Sequence, residues 1–283
     1  MIDDHLRLRG LGERFAAGFP GLSGVRAVLL TGSVARGLAD RWSDVELMVF
    51  WDGEPADESR RAAVAAGGGE LTAFHGYDPD NDEWSEDVLL DGVEIQVSHR
   101  TVEGTGAWIA DVTERFDPDL TKQDLIALIR YGVALHDTGV VTGWRARTEV
   151  YPDALGLAMV RAHLDFRSTW QRRKLLARGD VLPLAQDRLD TVRNVLLVLL
   201  GLNRVWFPHL GFKWVRDLAE SLPLAPAALP ARLEAVLTAT PASAVPAADA
   251  LIMETLDLVA KHLPDAGAEE EITHQLTPRP GPG

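Results

Sequence analysis

The chain has 283 residues, 46% hydrophobic and 25% charged, with no cysteine and a formal net charge of −14. Disulfides and cysteine-ligated zinc are thereby excluded, and a reducing cytoplasm is the simplest setting. The acidic balance argues against a surface for a long nucleic acid, which needs basic groups to displace counterions; it suits a small cationic substrate, or plain solubility.

A chain of this length favours two domains, each able to bury its own core. The opening Met1-Ile2-Asp3-Asp4-His5 is acidic and lacks the apolar stretch of a signal peptide. The longest apolar run, Val195 to Leu202, falls far short of the ~20 residues that span a bilayer, so it reads as a buried helix and no membrane role is expected. Leu6, Leu8, Leu11 and Phe15 recur at helical spacing and predict an amphipathic helix over 3–19, ended by Phe19-Pro20-Gly21. The run from Val25 to Leu30 predicts a buried strand that ends in a tight turn at Gly32, and Val45 to Phe50 predicts a second strand. Asp44 and Glu46 open that second strand two residues apart, so their side chains leave one face roughly 6–7 Å apart. Two carboxylates so placed repel unless a cation lies between them. Such oxygen ligands suit Mg²⁺, which is held by one or two carboxylates together with substrate phosphates. The Gly32-Ser33 turn can aim backbone N–H groups and a hydroxyl at those phosphates.

Gly32-Ser33-x-x-Arg36-Gly37 followed by Ser43-Asp44-x-Glu46 resembles the signature of the DNA polymerase β-like nucleotidyltransferase superfamily. The Ser-Asp-x-Glu form, with Glu as second acid, is similar to the aminoglycoside (kanamycin-type) nucleotidyltransferases. The resemblance covers the first half of the chain and extends to the second only in general shape. It implies a metal-dependent nucleotidyltransferase that moves a nucleoside monophosphate from an NTP such as ATP to an acceptor hydroxyl, with release of pyrophosphate. Asp44 and Glu46 would share two Mg²⁺ ions, and Gly32 and Ser33 would cradle the β- and γ-phosphates. Arg36 would supply a counter-charge or pin the turn to Asp40. Glu at position 46 favours the antibiotic-modifying relatives, so the acceptor is expected to be a small hydroxyl-bearing molecule, an antibiotic or a metabolite. Two alternatives stand beside this: a protein-modifying (AMPylating) relative of the toxin–antitoxin type, and a non-catalytic nucleotide-binding regulatory protein. Some relatives build the active site between two subunits, which makes a homodimer an open expectation.

Further along, residues 55–66 predict a surface helix stopped by Gly67-Gly68-Gly69, whose spacing matches no dinucleotide fingerprint. Leu71 to Phe74 reads as a short strand, and the acidic loop from Asp78 to Glu83 lacks the glycine and terminal Glu of a calcium loop. Val88 to Val97 predicts a hairpin turning at Asp91-Gly92, with Val93, Ile95 and Val97 on one face and Glu94 and Gln96 on the other. Alternation alone allows Glu94 to face solvent. The family resemblance implies a third carboxylate on such a strand, and makes Glu94 a metal ligand or the base for the acceptor hydroxyl. Asp91 and Asp87 are the alternatives.

Two helices are expected over 101–116 and 120–134, the second with Thr121 as N-cap and Asp124 in the capping-box position. Tyr131 to Gly139 resembles the segment that closes the catalytic domain, and His136, with no second ligand at i+3 or i+4, reads as structural. From Tyr151 strand signals stop, and helices are expected over 154–170, 184–206, 214–222, 230–238 and 245–263. Asn194 and Asn203 carry amides that must find partners in an apolar helix. Lys213 reads either as a surface lysine or as a cation reaching a triphosphate across an interdomain cleft. The expected fold is α+β. A nucleotidyltransferase-type mixed sheet flanked by helices occupies 1–148, and an all-helical bundle over 149–264 closes on substrate or nucleotide. An acidic, then Pro/Gly-rich disordered tail covers 265–283.

Overall fold

The computed structural model describes residues 2–278. It divides into two compact units, the first Met1–Arg115 with Asp119–Val150, the second Phe116–Pro118 with Tyr151–Gly283.

The first unit is a six-stranded mixed sheet with helices on both faces. In chain order its elements are α1 (Ile2–Ala16), β1 (Val25–Thr31), α2 (Gly32–Ala35), β2 (Val45–Trp51), α3 (Asp57–Ala66), β3 (Glu70–Asp78), β4 (Glu83–Leu90), β5 (Val93–Thr101), α4 (Val102–Glu114), α5 (Leu120–Tyr131), β6 (Val133–Asp137) and α6 (Val140–Arg147). The strand order is β3-β4-β5-β2-β1-β6. Only β2 and β5 run parallel; the other neighbours are antiparallel. The near-continuous apolar runs of β1 and β2 follow from this order, because both strands lie inside the sheet with both faces covered. On one face Val28, Leu30, Val45, Leu47, Val49, Ile95 and Val97 pack with Leu8, Leu11 and Phe15 of α1 and with Ala63 and Val64 of α3. On the other, Phe50 meets Trp144 of α6 edge-on at 4.9 Å between ring centroids.

The hairpin from β4 to β5 turns as expected at Asp91-Gly92, both left-handed (φ 52° and 77°), which is the geometry of a two-residue hairpin turn. β3 and β4 are longer than the sequence indicated, with the acidic segment confined to the turn between Asp78 and Glu83. Residues 133–134, expected at the end of a helix, begin the edge strand β6 instead, because α5 stops at Tyr131 before Gly132 and Leu30 pairs with Val133. A buried polar chain ties the outer strands to α3. The Trp51 indole donates to His99 Nδ1 (3.0 Å), which fixes the imidazole proton on Nε2, 2.6 Å from Glu86 Oε1. Arg60 donates to Glu86 Oε2 (2.7 Å) and to the His75 and Ser85 carbonyls. Arg60, Glu86 and His99 are all fully buried.

The second unit is helical, as expected: α7 (Asp153–His163), α8 (Thr169–Arg178), α9 (Val181–Asn203), α10 (Val215–Glu220), α11 (Leu229–Thr238), α12 (Pro241–His262), a single 3-10 turn (Pro264–Ala266) and α13 (Ala268–Leu276). α9 is the hub, and its segment from Val195 to Leu202 is buried on every side. It meets α7 at a glycine pair: a Cβ on Gly201 would lie 2.8 Å from the Met159 Cβ and 3.0 Å from the Gly156 carbonyl. The two amides singled out in α9 serve the fold. Asn203 bridges the Leu199 and Leu224 carbonyls and accepts from the Leu224 N–H, and Asn194 donates to the Asp165 carbonyl.

Two expectations are corrected here. The helix expected over 154–170 is broken, ending at His163 and restarting at Thr169, where Ser168 and Gln171 form a capping box. The tail expected to be disordered from 265 forms α13, because Gln275 is buried and accepts from Arg172 (2.6 Å) while donating to the Phe166 carbonyl (3.1 Å). Residues 279–283 lie outside the described residues. Among the described residues no helix is long and apolar enough to cross a membrane.

Candidate functional site

The site grows from the end of β1. Thr31 is the last strand residue, and its hydroxyl donates to the Glu46 carbonyl (3.3 Å) across the β1–β2 pair. Gly32 then takes φ +63° and opens the short helix α2, which carries the buried Ser33 and Val34. Gly37, at φ +73°, ends the turn. The Gly-x-x-x-x-Gly spacing read from the sequence is therefore that of two left-handed positions flanking one helical turn.

Glu46 presses on this turn. A Cβ at residue 32 would lie 2.3 Å from Glu46 Oε2, 2.5 Å from its Cδ and 2.7 Å from its Oε1, so the carboxylate occupies the room left by the missing side chain. Glycine is required at position 32 twice over, by its backbone angle and by this contact. Asp44, just before β2, and Glu46 within it are both half-buried. In the parallel pairing Val45 faces Ile95 and Glu46 faces Gln96. The pairing begins at Val45 and Ile95, so Asp44 and Glu94 each lie one residue before it. Glu94 is exposed and accepts from Gln96 Nε2 (3.2 Å). Its neighbours Val93, Ile95 and Val97 are buried, as their alternation required.

The alternatives to Glu94 have other partners. Asp91 forms an ion pair with Arg14 of α1 at the tip of the hairpin. Asp87, opposite Gln96, lies 3.8 Å from His75 Nε2. Asp40 is engaged locally, its carboxylate accepting from the Trp42 N–H (2.8 Å) and the Ser43 hydroxyl (3.3 Å). Arg36 caps α2 and lies over the Tyr131 ring, 5.4 Å from its centroid. Lys213 belongs to the second unit, where it is exposed just before α10, its ammonium 6.0 Å from the Trp214 ring centroid.

Asp124 is the residue that sequence reading placed wrongly. The N-cap of α5 is Asp119, which accepts from the Lys122 N–H (2.9 Å), and Asp124 is freed from any capping part. Its Oδ1 is buried without a hydrogen-bond partner. Burial, then the negative charge of Glu46, push its carboxyl up to about 7, against the pull of Arg36. The signal in the sequence was an acid at the edge of the apolar stripe Leu125-Ile126, where a carboxylate has no reason to be unless something draws it inward.

The donors gathered here are carboxylate oxygens, the type a hard cation takes. The buried Asp124 oxygen without a donor, opposed by the charge of Glu46, is what a cation at this place would relieve. Asp44, Glu46 and Glu94 are not assembled into one cluster: among the described residues no group of three or more His, Asp or Glu is placed to hold a metal ion.

Comparison with known proteins adds the following. A profile for a domain of unknown function (DUF4037) matches residues 119–215, from the start of α5 into the second unit. No curated protein matches the chain. Among solved structures the chain is similar to a nucleotidyltransferase-like protein from Exiguobacterium sibiricum, at 12% identity and a TM-score of 0.41, covering 94% of this chain and 80% of that one. It is also similar to a cytoplasmic RNA terminal U-transferase, at 15% identity and a TM-score of 0.24, covering 58% of this chain and 46% of that one. At such identities and scores the chemistry has to be read from the side chains themselves.

Proposed function

We propose that the first unit catalyses nucleotidyl transfer, moving a nucleoside monophosphate from an NTP to a hydroxyl of a small molecule. The observation that carries this reading is the contact of the Glu46 carboxylate with Gly32. It joins an acid-bearing strand to a glycine turn, as phosphate held beside a cation requires. In the proposed reaction the acceptor oxygen attacks the α-phosphorus, the bond from that phosphorus to the bridging oxygen of the β-phosphate breaks, and pyrophosphate leaves. Ser33 and the backbone of the Gly32 turn bind the outer phosphates. Glu94, exposed on β5, the strand paired with the one that carries Glu46, takes the proton of the acceptor hydroxyl. Mg²⁺, held by Asp44 and Glu46, would neutralise charge on the attacking and leaving oxygens. Asp124 acts as a positioning residue: its charge, facing Arg36 and opposing Glu46, fixes where positive charge is tolerated.

The test is Mg²⁺-dependent release of pyrophosphate across a panel of NTPs and hydroxyl acceptors. Glu94→Gln is expected to lower turnover by roughly 10²–10⁴, the usual worth of positioned proton transfer, with nucleotide affinity little changed. Normal turnover in that variant would leave Glu94 as a solvent-facing side chain and remove it from the reaction.

A further inference from the structure

α5 ends against the strand from which the glycine turn starts. A Cβ on Gly132 would lie 3.1 Å from the Leu30 carbonyl oxygen and 3.4 Å from Thr31 Cγ2, and Leu30 pairs with Val133. Arg145 of α6 donates to the Ile129 and Gly132 carbonyls, which flank Tyr131. The backbone of Tyr131 is thus fixed beside Thr31, the residue before Gly32. Its side chain is no part of the core: Tyr131 is 46% exposed, whereas Ile129 is fully buried. What the ring meets is Arg36, the residue that closes α2 and is itself exposed; the guanidinium lies over the ring, 5.4 Å from its centroid. Asp124 lies about two turns earlier on the same face of α5, and its charge attracts Arg36.

We propose, on the reading of the Gly32 turn as a phosphate site, that Tyr131 is a positioning residue for the triphosphate: its ring holds the Arg36 guanidinium at the turn, where it meets the outer phosphates. Two attractions compete for that guanidinium. The carboxylate of Asp124 draws it toward the acids, and the ring of Tyr131 holds it at the end of α5. The two differ in what they consume. A carboxylate takes up N–H donors, whereas an aromatic face engages the plane of the guanidinium and leaves its donors pointing outward along the edge, in the fork that suits phosphate oxygens. An arginine ordered in this way before the ligand arrives also loses less side-chain freedom on binding. A rigidly placed but exposed ring, which contributes little to the core, is accounted for by this task.

Calorimetric titration of the full chain with inorganic triphosphate in excess Mg²⁺, at fixed ionic strength, tests it, because this probe reads the phosphate site without a base or an acceptor. The wild type and Tyr131→Phe, which keeps the ring, are expected to bind alike. Tyr131→Leu is expected to bind about two- to fivefold more weakly, the worth of an exposed cation–π contact, with an unchanged melting curve. In an Arg36→Ala background the same Tyr131→Leu change is expected to have no effect, which separates positioning of Arg36 from a direct contact or a general loosening of the fold. Wild-type affinity in Tyr131→Leu, an equal loss with and without Arg36, or a loss in Tyr131→Phe as large as in Tyr131→Leu would each overturn the proposal while leaving the glycine turn as a phosphate site. No saturable binding by the wild type would instead remove the phosphate reading of the turn, and the role of Tyr131 with it.

Discussion

The carboxylate of Glu46 fills the space that a side chain at Gly32 would need, with Oε2 only 2.3 Å from where a Cβ would stand. The glycine turn and the acid strand are thus one structural object, and neither can change without the other. Gly32→Ala is expected to cost about 1–3 kcal/mol, from the left-handed backbone and the displaced carboxylate together. In the double variant Gly32→Ala, Glu46→Ala the steric part vanishes, so the costs should be clearly less than additive. Chemical denaturation of the four proteins of this cycle measures the coupling; strict additivity would mean the carboxylate does not press on the turn.

Asp124 sets stability against function. It keeps a buried oxygen without a partner beside the like charge of Glu46. Asp124→Asn is expected to raise the melting temperature in metal-free buffer, by the equivalent of ~1 kcal/mol or more. Turnover should fall at the same time, because Arg36 loses the charge it faces. A variant that is both less stable and fully active would show Asp124 to be an ordinary packing residue.

The buried chain of Arg60, Glu86 and His99 makes the first unit sensitive to acid. Burial alone would push the Glu86 carboxyl up, but the hydrogen bonds and charges of His99 and Arg60 outweigh it and hold the carboxyl low. Burial also holds the His99 imidazole below its usual range, against the pull of Glu86, and so neutral. Both groups bind protons less readily folded than unfolded, so stability is full at high pH and is lost on acidification. The loss begins near ~6.5, where an unfolded histidine protonates, and deepens below about 4.3 as unfolded glutamate does. His99→Gln should remove the upper part of that pH dependence in melting curves taken between pH 8 and 5. Glu86→Ala, which strands a buried guanidinium, should cost about 3–5 kcal/mol at neutral pH.

α13 is held to the rest of its unit by Gln275, which meets Arg172 and the Phe166 carbonyl. Gln275→Ala is expected to destabilise the second unit by about 1–3 kcal/mol, since it strips partners from buried groups. Hydrogen exchange across 268–276 should rise in that variant. Unchanged protection there would mean that Gln275 does not hold the helix.

The central features of the first unit could be read from residue patterns because they rest on local rules. Strands buried on both faces, an Asp-Gly hairpin and a glycine turn before an acid pair all announce themselves within a few residues. What escaped reading depended on distant partners. α13 looked disordered because its composition is polar, and Arg172 and the Phe166 carbonyl, 103 and 109 positions earlier, give Gln275 a reason to be buried. Asp124 looked like a capping residue because its neighbour Thr121 could serve as a cap, and only the position of Glu46 across the fold reveals its charge conflict. β6 was hidden because helical and strand patterns merge across Gly132, and pairing with β1 decides between them.

The central claim, that Asp44 and Glu46 serve nucleotidyl transfer, is met most directly by pyrophosphate release from an NTP and acceptor panel, comparing the wild-type chain with Asp44→Asn. With Mg²⁺ present, the wild type is expected to turn over and the variant to lose turnover, while its melting curve without metal stays close to wild type because Asp44 is only half-buried. Pyrophosphate release at the wild-type rate in Asp44→Asn would contradict the assignment.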